Sequence, residues 1–166
     1  PLAYHLAAYY SLATGLGVVA GSKFVLVMAA FIGSLGMYLF VANRWGRVEA
    51  MVAGVAWCLS PYIFFLEPHA RGEIAETLAI GISPVIFWAF DKVRGHGTKY
   101  TVVIAALSLA AVVLSHPLTA LVAYGFLLVF LLWEFLITPL TLVGSVSNNR
   151  SSGNLYAVGV AVLLGL

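Results

Sequence analysis

From Tyr100 to Trp133 the chain contains no Asp, Glu, Lys or Arg. A membrane-spanning helix needs about 20 predominantly apolar residues, so this run holds enough for more than one. Its natural break is Ser115-His116-Pro117. The residue before a proline is pushed out of the helical region, and Pro117 suits a first helical turn. Three more uncharged runs follow the same logic: Phe24 to Ala42, Ala50 to Leu66 and Thr77 to Phe90. The last is short and spans only if its first turns include Glu73 and Glu76.

Composition agrees. Eight Lys and Arg stand against six Asp and Glu, only 8% of residues are charged, and 63% are hydrophobic. A soluble domain usually carries about a quarter charged residues, so a soluble enzyme, a disordered chain and a nucleic-acid binder are all excluded. The net charge of +2 is too small to imply a polyanionic partner. Cys58 is the sole cysteine, which removes disulfide frameworks and cysteine metal clusters. The expected fold is an all-α, polytopic transmembrane helix bundle, one domain over residues 1–166. It has about five complete spans, an N-terminal helix over Pro1–Ala20 that either spans or lies in the interface, and a truncated span from Leu155. Because the chain opens on Pro1 without Met and ends inside an apolar stretch at Leu166, it is expected to be a segment of a longer protein.

Basic loops set orientation in membranes. Arg44, Arg47, Lys92, Arg94, Lys99 and Arg150 fall in alternate connections, and putting these inside places Glu67, Glu73 and Glu76 outside. The expected location is the plasma membrane, with residues 67–76 on the outer face. Ser22 is the expected N-cap before Lys23, and the Ser60-Pro61 and Ser83-Pro84 steps are expected to kink their helices. Gly17 and Gly21 match a small-xxx-small spacing, and Gly33 and Gly36 look like close-packing positions. Asn149-Arg150-Ser151 fits a glycosylation acceptor, but on an inner loop it would stay unmodified.

The densest outer polar cluster is Glu67-Pro-His-Ala-Arg-Gly-Glu-Ile-Ala-Glu76. A helix from Pro68 would align His69, Glu73 and Glu76 on one face and point Arg71 away. Arg71 offers a bidentate cation for phosphate, and a carboxylate offers a base for glycosyl transfer to a hydroxyl. The structural alternative is that the acids favour a helix start and Arg71 pairs with Glu67. His116 lies at an outer helix junction, and His5 and Tyr4 in the outer N-terminal stretch. Tyr4, Tyr9 and Tyr10 also fit an aromatic belt. No HxxEH-like spacing exists, so no histidine metal site is expected. A divalent ion on the carboxylates stays open. Glu134 has no evident partner and reads as interfacial, and the Lys92, Arg94, Lys99 loop as a contact for anionic lipid.

Pro1-Leu-Ala-Tyr-His-Leu6, Gly36-Met-Tyr38, Ser60-Pro-Tyr62, Arg71-Gly-Glu-Ile-Ala-Glu76 and Leu114-Ser-His-Pro-Leu-Thr119 occur in that order. The order resembles polytopic bacterial and archaeal membrane proteins related to the GT-C glycosyltransferases, one group of which is labelled "6-pyruvoyl-tetrahydropterin synthase-related". The resemblance covers most of the chain through short motifs. It implies an enzyme that takes a sugar from a polyprenyl-phosphate donor at the outer face, and no pterin chemistry. It also implies an acidic base or metal contact in a first outer loop, which would precede Pro1. Arg71 with Glu73 or Glu76 would then bind donor phosphate or acceptor. Many members of the family have Asn at the position of Pro117, which puts a role for His116 in doubt.

Two other readings fit the sequence. Pro- and Gly-interrupted spans also suit a transporter or flippase, although the charges collect at span ends and no repeat is evident. A catalytically silent membrane scaffold is the third. Sugar, acceptor and oligomeric state are open.

Overall fold

The computed structural model describes residues 1–63 and 71–142, with the backbone alone for His96 and residues 137–142. The expected helix from Leu155, the Ser145–Asn154 loop with Arg150, and the residues Glu67 and His69 lie outside the described residues. Among the described residues the chain is all-helical: α1 (Leu2–Thr14), α2 (Val18–Arg44), α3 (Arg47–Cys58), α4 (Ile74–His96), α5 (Lys99–Ser115) and α6 (Pro117–Leu142).

Among the described residues three helices are long and apolar enough to cross a membrane, over Val18–Arg44, Ile74–Gly95 and Pro117–Leu136. α5, at 17 residues, is apolar but shorter, α3 has 12 residues, and α1 has 13. At 1.5 Å per residue, α1 extends only about 20 Å, less than the ~30 Å of a hydrocarbon core. It ends at Gly15, whose φ of 70° lies in the left-handed region that favours glycine.

α4 is the enclosed helix. Of its apolar window 67% is buried, against 28% for α2 and 22% for α6. Leu78, Ile86, Phe90 and Val93 on α4 pack with Val25 of α2 and Leu109 and Val112 of α5 to form the core. The outward faces of α2 and α6 show Val27, Phe31, Leu121, Phe126, Leu128 and Leu136 to the surroundings. Bare apolar area on this scale suits lipid or neighbouring protein and not water.

Glycines let α2 lie directly against its neighbours. A Cβ on Gly36 would strike the Val85 backbone, and one on Gly33 would strike the Trp57 ring, in keeping with the close-packing reading of both. Gly21 faces the Ala7 carbonyl on α1, but Gly17 has open space around it and is the N-cap of α2. The helix therefore starts four residues before Ser22, whose hydroxyl donates back to the Val18 carbonyl at 3.1 Å within the helix. Lys23 does not interrupt it. An exposed Lys side chain can lay its aliphatic stem along the helix and carry its ammonium outward.

The two Ser-Pro steps behave differently. α3 ends at Cys58, just before Ser60-Pro61, whereas Pro84 sits inside a continuous α4. Beside it the Ser83 hydroxyl donates to the Ala79 carbonyl at 2.9 Å, supplementing a ladder that has lost one N–H. The break at Ser115-His116-Pro117 is where expected: α5 stops at Ser115, His116 is extended, and Pro117 opens α6.

Candidate functional site

One face of α4 carries the polar chemistry. Glu73, Glu76, Ile80, Ser83, Phe87, Asp91 and Arg94 recur at steps of three and four residues, which keeps them in one stripe. The stripe is polar at both ends and apolar in the middle. Eighteen residues separate Glu73 from Asp91, so the ends stand about 27 Å apart.

The first end is built from the start of α4 and the α5–α6 junction. Ligand atoms of Glu73, Glu76 and His116 all lie within 4.8 Å of one another, and all three residues are half-buried. His116 is held by α6: its Nδ1 is 2.8 Å from the Thr119 hydroxyl and 3.3 Å from the Thr119 backbone N–H. Arg71 does not point away from this cluster. Gly72, with φ of 67°, breaks the backbone before Ile74, so α4 does not extend back to Pro68, and the exposed Arg71 side chain reaches Glu76. Arg71 Nη2 lies 3.2 Å from Glu76 Oε2, and Nη1 donates to the Tyr62 hydroxyl at 3.1 Å. Tyr62 in turn donates to Glu76 Oε1 at 3.2 Å. The Glu73 carboxylate makes no hydrogen bond or ion pair among the described residues, although Glu73 is the N-cap of α4.

The other expected binding residues stand apart or outside the description. Tyr4 and His5 are exposed on α1, and neither bonds to Glu73, Glu76 or His116. Tyr10 stacks on Phe24 at 4.2 Å between ring centroids. His69 and Glu67 lie outside the described residues. Tyr62 is the member that sequence reasoning missed, and its Ser60-Pro-Tyr62 motif was the available signal.

Between the ends runs an apolar groove of about 590 Å³, bordered by α3, α4 and α6. Trp57, Ile80, Phe87, Phe126 and Trp133 form its walls, and Thr119 lines it as well. Because Thr119 also holds His116, the groove and the carboxylate cluster meet at one residue.

The second end is a buried ion network. Arg44 Nη2 reaches Asp91 Oδ1 at 2.6 Å and Arg44 Nη1 reaches Glu134 Oε1 at 2.8 Å. Arg94 Nη2 joins Glu134 Oε2 at 3.0 Å and Asp91 Oδ1 at 3.5 Å, and Asn43 donates to Asp91. Asp91 and Glu134 are 4% and 8% exposed, so their charges survive only because the two arginines answer them. The rings of Phe40 and Phe130 lie 5.2 and 5.0 Å from the Arg44 guanidinium. Glu134 is thus a buried partner in an ion network and not an unpartnered interfacial acid. Arg94 belongs to the same network and is not simply a lipid contact.

Comparison with curated proteins and with solved structures gave no match. A family model does match, over residues 1–161, and its description is "6-pyruvoyl-tetrahydropterin synthase related domain; membrane protein". The chain, all-helical where described and with three helices fit to span a membrane, belongs to this family of 6-pyruvoyl-tetrahydropterin synthase-related membrane proteins.

Proposed function

We propose that this membrane protein is a glycosyltransferase of the GT-C kind, which moves a sugar from a polyprenyl-phosphate donor to a hydroxyl acceptor on the outer face of the plasma membrane. The observation that carries the reading is the junction at Thr119. A cluster of two carboxylates, an imidazole and an arginine adjoins an apolar groove through a residue that belongs to both. That combination suits a lipid-linked substrate, whose chain would lie in the groove with its phosphate toward Arg71.

Each residue has a role in this scheme. Arg71, paired now with Glu76, would move onto the donor phosphate and neutralise it as it leaves. Glu73, the carboxylate without a partner among the described residues, would take the proton of the acceptor hydroxyl. The acceptor oxygen forms its bond to the anomeric carbon while the bond from that carbon to the phosphate oxygen breaks. The bonding pair departs with the phosphate. Glu76 and Tyr62 keep Arg71 in position, and His116 closes the cluster from the α6 side.

The test is lipid-linked sugar transfer by the intact protein in membranes. Arg71→Ala and Glu73→Gln should each lower transfer by about a hundredfold, the lower range for loss of a catalytic acid, base or electrostatic partner. Unchanged transfer in both variants removes these residues from the site. Absence of transfer with every polyprenyl-phosphate hexose tried, together with substrate-dependent uptake into proteoliposomes, would replace the enzyme reading with a transporter.

A further inference from the structure

We infer that Glu73, Glu76 and His116 form a binding site for a divalent first-row transition cation such as Mn²⁺ or Zn²⁺. The ligands come from two places far apart in sequence, the first turn of α4 and the extended residue between α5 and α6. Each contributes one ligand atom, and these atoms lie within 4.8 Å of one another. Metal–ligand bonds of about 2.1 Å place ligand atoms roughly 3.4 Å apart in a tetrahedral site. Closing the remaining gap needs about an ångström and a half at most, within reach of glutamate side-chain rotation.

Three features favour a cation here. The charges are unbalanced, because two carboxylates face one arginine, and Glu73 has no partner of its own among the described residues. The imidazole is already supported from behind. Ligation through Nε2 puts the ring proton on Nδ1, which then donates to the Thr119 hydroxyl at 2.8 Å and gives up its 3.3 Å bond from the Thr119 backbone N–H; Nε2, which makes no other bond among the described residues, presents its lone pair. A hydrogen bond to the far ring nitrogen is the usual way a protein orients a ligating histidine. The donor set of one nitrogen and two carboxylate oxygens suits Mn²⁺ or Zn²⁺ better than the all-oxygen shells of Ca²⁺ and Mg²⁺.

Arg71 is the competing cation. Both oxygens of Glu76 are occupied, one by Arg71 Nη2 and the other by Tyr62. A metal ion on Glu76 shares that carboxylate with Arg71, and the two cations repel each other at this distance. This inference stands apart from the transferase proposal, since it concerns only what the three side chains hold. Ligation through one oxygen of Glu73 leaves its second oxygen open to a proton.

The experiment is Mn²⁺ titration of the purified intact protein in nanodiscs of zwitterionic lipid, followed by electron paramagnetic resonance, with Zn²⁺ as the displacing ion. One saturable Mn²⁺ per protein is expected. Glu73→Gln and His116→Ala should each weaken it at least tenfold, while Arg71→Ala should tighten it. The opposite sign of the Arg71 variant separates loss of a ligand from loss of fold. Absence of saturable binding, or equal affinity in Glu73→Gln, His116→Ala and the unaltered protein, would overturn the inference. Sugar transfer by a protein that shows no saturable Mn²⁺ binding would overturn this site and leave the transferase proposal standing; saturable Mn²⁺ binding that Glu73→Gln and His116→Ala weaken, in a protein without transfer, would do the reverse.

Discussion

Glu134 shows what a single side chain conceals in sequence. It follows a long uncharged run and has no charge of opposite sign within a helical turn or two, so its neighbourhood gives no partner. The partners arrive from elsewhere: Arg44 at 2.8 Å, 90 positions away, and Arg94 at 3.0 Å. Removing one member of a buried pair leaves an uncompensated charge, which costs about 3–5 kcal/mol. Glu134→Ala should therefore lower stability by roughly 3 kcal/mol in denaturant unfolding of the purified protein. Adding Arg94→Ala should cost much less than its effect alone, because Arg44 and Asp91 then remain as a neutral pair. Strict additivity of the two changes would show that the network is not electrostatically coupled. The candidate site is similar in kind. The His116 junction and the acids Glu73 and Glu76 were each legible locally, through a proline and through the scarcity of charge. Their convergence was not, since metal-ligand spacing rules see ligands on one helix and these come from two. The direction of Arg71 differs from the helical expectation for a physical reason as well: Gly72, at positive φ, breaks the helix before Ile74.

At the scale of elements, apolar run length located three helices fit to span, but the runs from Ala50 and Tyr100 that it also marked as spans form α3 and α5, which are shorter, and proline located the α5–α6 break. Boundaries followed less well, because a single lysine near a helix start costs little when its charge can reach the interface. Helix contacts were legible where glycine marked them. Gly33 and Gly36 do face neighbouring helices, and Gly81 on α4 does so too, since an added Cβ there would strike the Ala29 carbonyl of α2. A methyl group there meets backbone, which cannot rotate aside, so Gly81→Ala must push α2 and α4 apart. Overpacking of this kind costs about 1–3 kcal/mol. Gly125 on α6 is the control, with nothing within 4 Å of an added Cβ. Gly125→Ala should change stability by no more than about 1 kcal/mol, in the stabilising direction, from helix propensity alone. Thermal unfolding of the two variants in the same detergent measures the contrast. Equal melting temperatures would mean that the α2–α4 approach is looser than Gly81 requires.

For the whole molecule the ordering of charge matters more than its amount. The contact between Arg44 and Asp91 joins the last turns of α2 and α4, so these helices run parallel. Glu134 brings the far part of α6 to the same place. Arg44, Arg47, Lys92, Arg94 and Lys99 accordingly gather at one end, while Glu73, Glu76 and His116 gather at the other, about 27 Å away along α4. That separation is close to the thickness of a hydrocarbon core, and the basic end is the one that the positive-inside rule assigns to the cytoplasm. Cysteine labelling tests both points, and the chain is well suited to it because Cys58 is the sole cysteine. In a Cys58→Ser background, Gly17→Cys marks the start of α2, where an added side chain has open space, and Lys99→Cys marks the exposed start of α5. A membrane-impermeant maleimide applied to intact cells should label position 17 and leave position 99 unlabelled until the membrane is permeabilised. Labelling of position 99 alone would reverse the orientation and move the Glu73 cluster to the cytoplasmic side, taking the outer-face transferase with it. Labelling of both from outside would mean that neither α2 nor α4 crosses the membrane, and the apolar faces of α2 and α6 would then need protein, not lipid, to cover them.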